Sequence, residues 1–220
     1  MKVTATQIQQ WADTRDAQGL LPLLVRKLVV ETAKPTELVI PGGDSVGRPG
    51  WDGALTVSEG NPWVPVSISR WEMGCDKRVA EKVADDYEKR TQEYGTAAQD
   101  LAFVFVTPRR WTKKAQWRDA MTASGPWREV RALDADDLEA WLESAPATAL
   151  WFGELLGLAG PGIRSIESYW DTWRNQSRIP LSIEAISVGR DAETGEFQKS
   201  VSELPAILVI EADSTEEAVA

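Results

Sequence analysis

The chain has 220 residues, 43% of them apolar, and a formal net charge of −10, room for one domain of about 150 residues and an appendage. It contains no histidine, which excludes Ser-His-Asp and Cys-His hydrolases, histidine-ligated zinc centres and histidine-based nucleases together. Its one cysteine, Cys75, cannot close an internal disulfide, in keeping with a reducing cytoplasm.

Taken in chain order, residues 6–18 carry Ile8, Trp11 and Ala12 on one face and predict a short amphipathic helix. A second helix is predicted from about Leu21 and Pro22, with proline at an early position where its missing N–H is harmless. It continues as LLVRKLVVET, apolar on most sides and therefore buried. A short strand ELVI (37–40) leads into the glycine- and proline-rich loop 41–50. Gly42 and Gly47 are followed there by Arg48 and Pro49, so the loop lacks the Lys-Ser/Thr of a P-loop.

Strand ALTV (54–57), a turn at 60–62 and a strand over 64–71 come next. The alternation Val64, Val66, Ile68 against Ser67, Ser69 predicts that the first set is buried. Asp76 is a plausible N-cap for a helix to about Tyr94, with Val79, Ala80, Val83, Ala84 and Tyr87 as its core stripe. The apolar run LAFVFVT (101–107) reads as a strand covered on both faces. A helix after Thr112, a strand near REVRAL (128–133), a helix capped by Asp134 and another over 147–157 complete the α/β pattern. Beyond 162, SIESYWDTWRNQ predicts one more helix; the segment with Gly189 and Gly195 reads as a linker or hairpin, and AILVIEA (206–212) as a strand. The expected division is therefore a domain at 3–162 and, at 163–220, a helix, a linker and the start of a further region.

No apolar run reaches the roughly 18–20 residues that span a bilayer, and MKVTATQIQQWADTR lacks a signal-peptide apolar core. The charge is uneven: −1 over residues 1–69, +3 over 70–118 and −12 over 119–220. A locally basic middle can still grip a phosphate backbone. A solvated amphipathic helix would give the same count.

Asp52 opens the second strand and Glu72 closes the third. Neighbouring antiparallel strands bring such ends together, where two carboxylates repel unless a divalent cation neutralises them. Mg²⁺ or Mn²⁺ suits oxygen ligands and makes a bound water nucleophilic, and a nearby lysine can orient that water or stabilise the phosphoryl group. Each residue also has a plain reading: Asp52 before glycine is a turn former, Glu72 a solvated strand end, and Lys77 a surface lysine. Trp111 with Arg109, Arg110, Lys113 and Lys114 is a candidate nucleic-acid contact, or else a helix start with solvated charges. Most of the eleven tryptophans, Trp141, Trp151 and Trp170 among them, fall on apolar helix faces. Cys75 lacks a base and is expected to be inert.

The order α-β-β-β-α-β, with Asp at strand two and Glu at strand three, resembles the PD-(D/E)xK restriction-endonuclease superfamily. LLPLLVRKL, PGWDG, SRWEMG, DYEKRT, FVFVTPRRW and DADDLEAWLE more closely resemble the Mrr-like N-terminal nuclease domain of bacterial antiphage proteins with a STAND-type NTPase. The resemblance covers about residues 15–157. It implies a mixed sheet flanked by helices, and Mg²⁺-dependent cleavage of double-stranded DNA. It also implies self-association through a C-terminal NTPase region, to which AILVIEADSTEEAVA is similar as a lead-in. Asp52 and Glu72 then match the metal-binding acids and Glu31 a third. The family's lysine stands two residues after the glutamate, where this chain has Gly74. Lys77, on the first turn of the next helix, is the expected substitute, with Lys82 the second choice. The alternative is a nuclease-like fold that no longer cuts and acts as a DNA-binding or protein-interaction module.

Overall fold

A computed structural model describes residues 2–41, 50–158, 166–176, 182 and 188–202. The chain divides into two compact units, Met1–Ile163 and Arg164–Ala220. Among the described residues, no helix is long and apolar enough to cross a membrane.

The first unit begins with helix α1 (Ala5–Trp11), closed by a capping box between Thr4 and Gln7. Helix α2 follows at Ala17–Thr32, so the expected single helix over 6–18 is two elements. Pro22 lies inside α2 rather than at its start; the helix begins earlier because Gly19 and Leu20 already donate back to Asp16. Strands β1 (Pro35–Val39), β2 (Gly53–Val57), β3 (Ser67–Met73), β4 (Ala102–Val106) and β5 (Glu129–Leu133) form one sheet in the order β1-β2-β3-β4-β5. β2 is antiparallel to β1 and to β3, while β3, β4 and β5 run parallel. The parallel connections are made by helices α3 (Val79–Tyr94) and α4 (Lys114–Ser124), as parallel pairing requires. A 3₁₀ turn (Gly95–Asp100) joins α3 to β4. Helices α5 (Ala135–Glu143) and α6 (Pro146–Leu155) end the unit.

The result is a five-stranded mixed sheet with helices on both faces. Side chains alternate across a strand, and the two resulting sets feed two cores. Leu55, Val57, Trp71, Met73, Val104, Val106 and Leu133 pack against α1, α2, α5 and α6. Phe103, Phe105, Val130 and Ala132 pack against α3 and its neighbours. In the first core Trp141 stacks on Trp63 at 5.6 Å and 6° and donates to Thr32 Oγ1. In the second, Tyr87, Phe103, Trp51 and Trp127 meet mainly edge to face or tilted. Gly125 permits that packing, since a Cβ there would stand 1.9 Å from the Tyr87 hydroxyl oxygen.

Strand β3 departs from the alternation expected of it. It starts at Ser67, which adopts a left-handed φ of 67°. The preceding residues are held in a turn by Asn61 Oδ1, which accepts from the N–H groups of Trp63 and Val64. Val64 is buried as expected and Ile68 is half-buried against the second core, but Val66 is exposed, and the fully buried face is Ser69, Trp71 and Met73. Serine is tolerated there because its Oγ accepts from Trp71 Nε1 at 2.9 Å. On α3 the stripe is Val79, Val83, Tyr87 and Arg90, with Ala80 and Ala84 exposed. Asp76 does not cap it; Arg78 holds that position without a side-chain bond. Asp134 does cap α5, accepting from the N–H groups of Asp136 and Asp137.

The second unit contains helix α7 (Ile166–Gln176), where Trp170 and Trp173 lie 5.3 Å apart, and helix α8 (Asp191–Ser202). α8 carries Gly195 within a helix, where a linker or hairpin was expected. The strand expected at 206–212 lies outside the described residues.

Candidate functional site

The site lies at the end of the sheet where β2 starts and β3 finishes. Gly53 pairs with Trp71 across the antiparallel ladder, so one further step sets Asp52 opposite Glu72. Residues directly opposite share a face, with Cβ atoms about 4.5–5.5 Å apart. Asp52 extends the ladder with its side chain, Oδ2 accepting from the Met73 N–H at 2.8 Å. The two carboxylates are thus on one side of the sheet, the side that α3 covers.

Glu72 is buried, 5% exposed. Its Oε1 accepts from Arg90 Nε. Burial pushes its carboxyl up to about 7; the Arg90 hydrogen bond opposes the rise, while the charges of Asp52 and Asp86 add to it. That Asp52 acts on Glu72 electrostatically places the pair in one neighbourhood.

Helix α3 lays three charged side chains along this side at four-residue spacing, one face of a helix. Lys82 Nζ pairs with Asp86 Oδ1 at 2.8 Å. Burial lowers the Lys82 pKa, but Asp86, Glu72 and Asp52 outweigh it and raise the pKa overall, so the ammonium is held charged. Asp86 Oδ2 is buried and has no hydrogen-bond partner among the described residues. Arg90 reaches Glu72, the Gly50 carbonyl and, at 2.7 Å, Glu93.

The Lys82 stem runs over Gly74. A Cβ built on Gly74 would stand 3.3 Å from Lys82 Cε and 3.5 Å from its Cγ. Lys82 therefore fills the space from which a side chain at position 74 would emerge.

The other expected site residues are placed elsewhere. Lys77 projects to Asp13 at 3.4 Å, 79% exposed, and is not brought to Glu72. Glu31 caps α6, accepting from the N–H groups of Ala147 and Thr148 at 2.9 and 2.8 Å and from the Thr148 hydroxyl at 2.7 Å. Both carboxylate oxygens of Glu31 are thereby engaged at a helix end that would otherwise leave its N–H groups unpaired.

The basic segment is largely joinery. Arg109 donates to the carbonyls of Cys75 and Ala12 and pairs with Asp13 at 2.9 Å. Arg110 pairs with Asp136, and Lys114 with Asp134 and Asp137. Trp111 is buried against Phe105 and Trp117, so its ring offers no stacking platform. Arg110 and Lys113, the latter at the head of α4, are the exposed members of the set.

Asp86 and Arg90 were missed at the level of sequence, although the spacing 82, 86, 90 on the helix after β3 was a usable signal. Among the described residues, no three or more Asp, Glu, Cys or His side chains gather closely enough to enclose a metal. Asp52 and Glu72 supply hard oxygen donors from two strands, and the charge of Asp86 acts on Glu72 from the helix. That donor set fits a cation that keeps several of its own waters, as Mg²⁺ does. Comparison with family models, curated proteins and solved structures found no match.

Proposed function

We propose that residues 3–162 form a metal-dependent nuclease of the restriction-endonuclease-like, PD-(D/E)xK class. More particularly, we read the chain as a Mrr-like effector that hydrolyses DNA phosphodiester bonds in antiphage defence. One observation carries the reading: Asp52 and Glu72 share a face at one end of the sheet, and the Lys82 stem crosses Gly74 toward the same group of acids. The order α2-β1-β2-β3-α3-β4 supports it. Lys82 takes the role first given to Lys77.

In this reading Asp52 and Glu72 would hold Mg²⁺, which would supply Lewis acidity toward the phosphate and the attacking water. Asp52 is oriented by the Met73 N–H and Glu72 by Arg90. The Lys82 ammonium donates to the attacking water or to a phosphoryl oxygen, stabilising the charge that grows there. Asp86 keeps that ammonium protonated and aimed. Self-association through a C-terminal NTPase region is the proposed trigger.

A second reading has its own observation. Arg90 already occupies one oxygen of Glu72, as in a nuclease-like fold that has stopped cutting and serves as a binding module. Incubation of plasmid DNA with the purified chain and Mg²⁺ or Mn²⁺ separates the two. Cleavage by the parent but not by Asp52→Ala supports the enzyme. Absence of cleavage by both, at high protein concentration and with either metal, supports the module.

A further inference from the structure

We propose that Arg90 is the positioning residue of the carboxylate pair, one guanidinium that fixes Glu72 and the lead-in to Asp52 in a single frame. The inference rests on the nuclease reading above and assigns a role to a residue outside its ligands.

The geometry is specific to arginine. Nε donates to Glu72 at the end of β3, and Nη2 donates to the Gly50 carbonyl, two residues before Asp52. The guanidinium carbon lies 4.5 Å from the centroid of Trp51, the residue next to Asp52. Trp51 is itself held by α3, its Nε1 donating to the Tyr94 hydroxyl at 2.9 Å. The last turns of α3 therefore grip both strand ends that carry the acids. Nη1 turns outward to Glu93, whose side chain is half exposed. The Arg90 side chain is only 4% exposed.

A planar fork with several fixed donors can bond three acceptors and lie flat on an indole at once. An ammonium cannot do this. A carboxylate pair that binds a hydrated cation must be held to about 0.5 Å by its supporting shell. The β2–β3 ladder ends at Gly53 and Trp71, so the lead-in to Asp52 depends on side chains, while pairing with β4 holds the Glu72 backbone and leaves its carboxylate to be aimed. Asp52 has the Met73 N–H; Glu72 and residues 50–51 have Arg90.

The test is a Mn²⁺ titration of the full chain, followed by the electron paramagnetic resonance signal of free Mn²⁺, well below the melting temperature of each variant. Arg90→Lys and Arg90→Met are compared with the parent, with Trp51→Leu, and with Glu93→Gln as the rim control. Mn²⁺ affinity is expected to fall about tenfold or more in the Arg90 variants, in the range seen for outer-shell partners. It should fall by less in Trp51→Leu and stay within about twofold in Glu93→Gln. In a Glu72→Gln background, Arg90→Lys is expected to cost under about twofold more, because the residue it positions is already changed. Binding by Arg90→Lys as tight as the parent's or tighter overturns the proposal, since Arg90 would then merely compete for the Glu72 oxygen. A full additional loss in the Glu72→Gln background overturns it too, since the effect would not run through Glu72. If Arg90→Met does not fold, Arg90→Lys and Trp51→Leu decide. A parent chain that neither binds Mn²⁺ nor cuts DNA sinks the nuclease reading and this role with it. A parent that does both while Arg90→Lys matches it sinks this role alone.

Discussion

Replacing Lys82 by methionine keeps an unbranched stem over Gly74 and removes only the ammonium. Loss of one preorganised donor to developing charge costs about 10²–10³ in rate, roughly 3–4 kcal/mol, so Lys82→Met should cut plasmid DNA at least about a hundredfold more slowly. The stability change should be far smaller. The Lys82–Asp86 pair spans 2.8 Å, but the lysine side chain is one-third exposed, so solvent screening reduces its worth to about 0.5–1 kcal/mol. In a unit of this size that is a fall in melting temperature of about 1–4 °C. Lys77→Met provides the comparison: among the described residues its ammonium meets the exposed Asp13, at 3.4 Å, and both rate and melting temperature should match the parent. The assay is plasmid nicking in Mg²⁺ beside thermal melts of all three proteins. A Lys82→Met chain that cuts at the parent's rate while Lys77→Met is inactive would refute the assignment and return the role to the helix start.

Glu31→Ala should uncap α6 and destabilise the chain by about 1–2 kcal/mol, seen as a lower urea midpoint, while the Mn²⁺ affinity of the chain is unchanged; a loss of Mn²⁺ binding would return Glu31 to the ligand set. Cys75 has its thiol pushed up to about 12 by burial, against the pull of Arg109, so at pH 8 about one molecule in ten thousand is thiolate. A disulfide reagent should label it far more slowly than an ordinary exposed thiol at the same pH, and labelling at the ordinary rate would contradict that environment. Glu72 titrates near 7 in the fold against an ordinary 4.5, so between those pH values the folded chain holds a proton that the unfolded chain has lost. Its contribution to stability therefore falls as pH rises from about 4.5 to 7 and is level above that, by about 3 kcal/mol at most. Denaturant melts across pH 4.5–8 should show a slope in the parent that flattens in Glu72→Gln; equal slopes would place Glu72 in a wetter setting.

The strands and helices were largely legible because their signals are local. Continuous apolar LAFVFVT became β4, buried at all five positions, since a strand covered on both faces needs no polar alternation. Asp134 was legible as a cap because a capping carboxylate acts on N–H groups two and three residues away. Strand β3 was misread because local alternation does not say which face the larger residues claim. Trp71 needed a deep site against Trp141, and it took Ser69 inward with it.

Sequence by itself determined the order of elements in the first unit, the absence of imidazole chemistry, and the placing of Asp52 and Glu72 at neighbouring strand ends. Those follow from periodicity, composition and connectivity, which are properties of a chain read in one dimension. Tertiary structure alone decided which charges meet. Lys77 and Lys82 are alike in sequence, yet Lys77 falls in the bend before α3, not on its first turn, and meets Asp13, while Lys82, on the helix, lies across Gly74. Glu31, Arg109 and Lys114 were claimed by helix caps, carbonyls and nearby acids, because a charge settles on partners that only folding brings within reach.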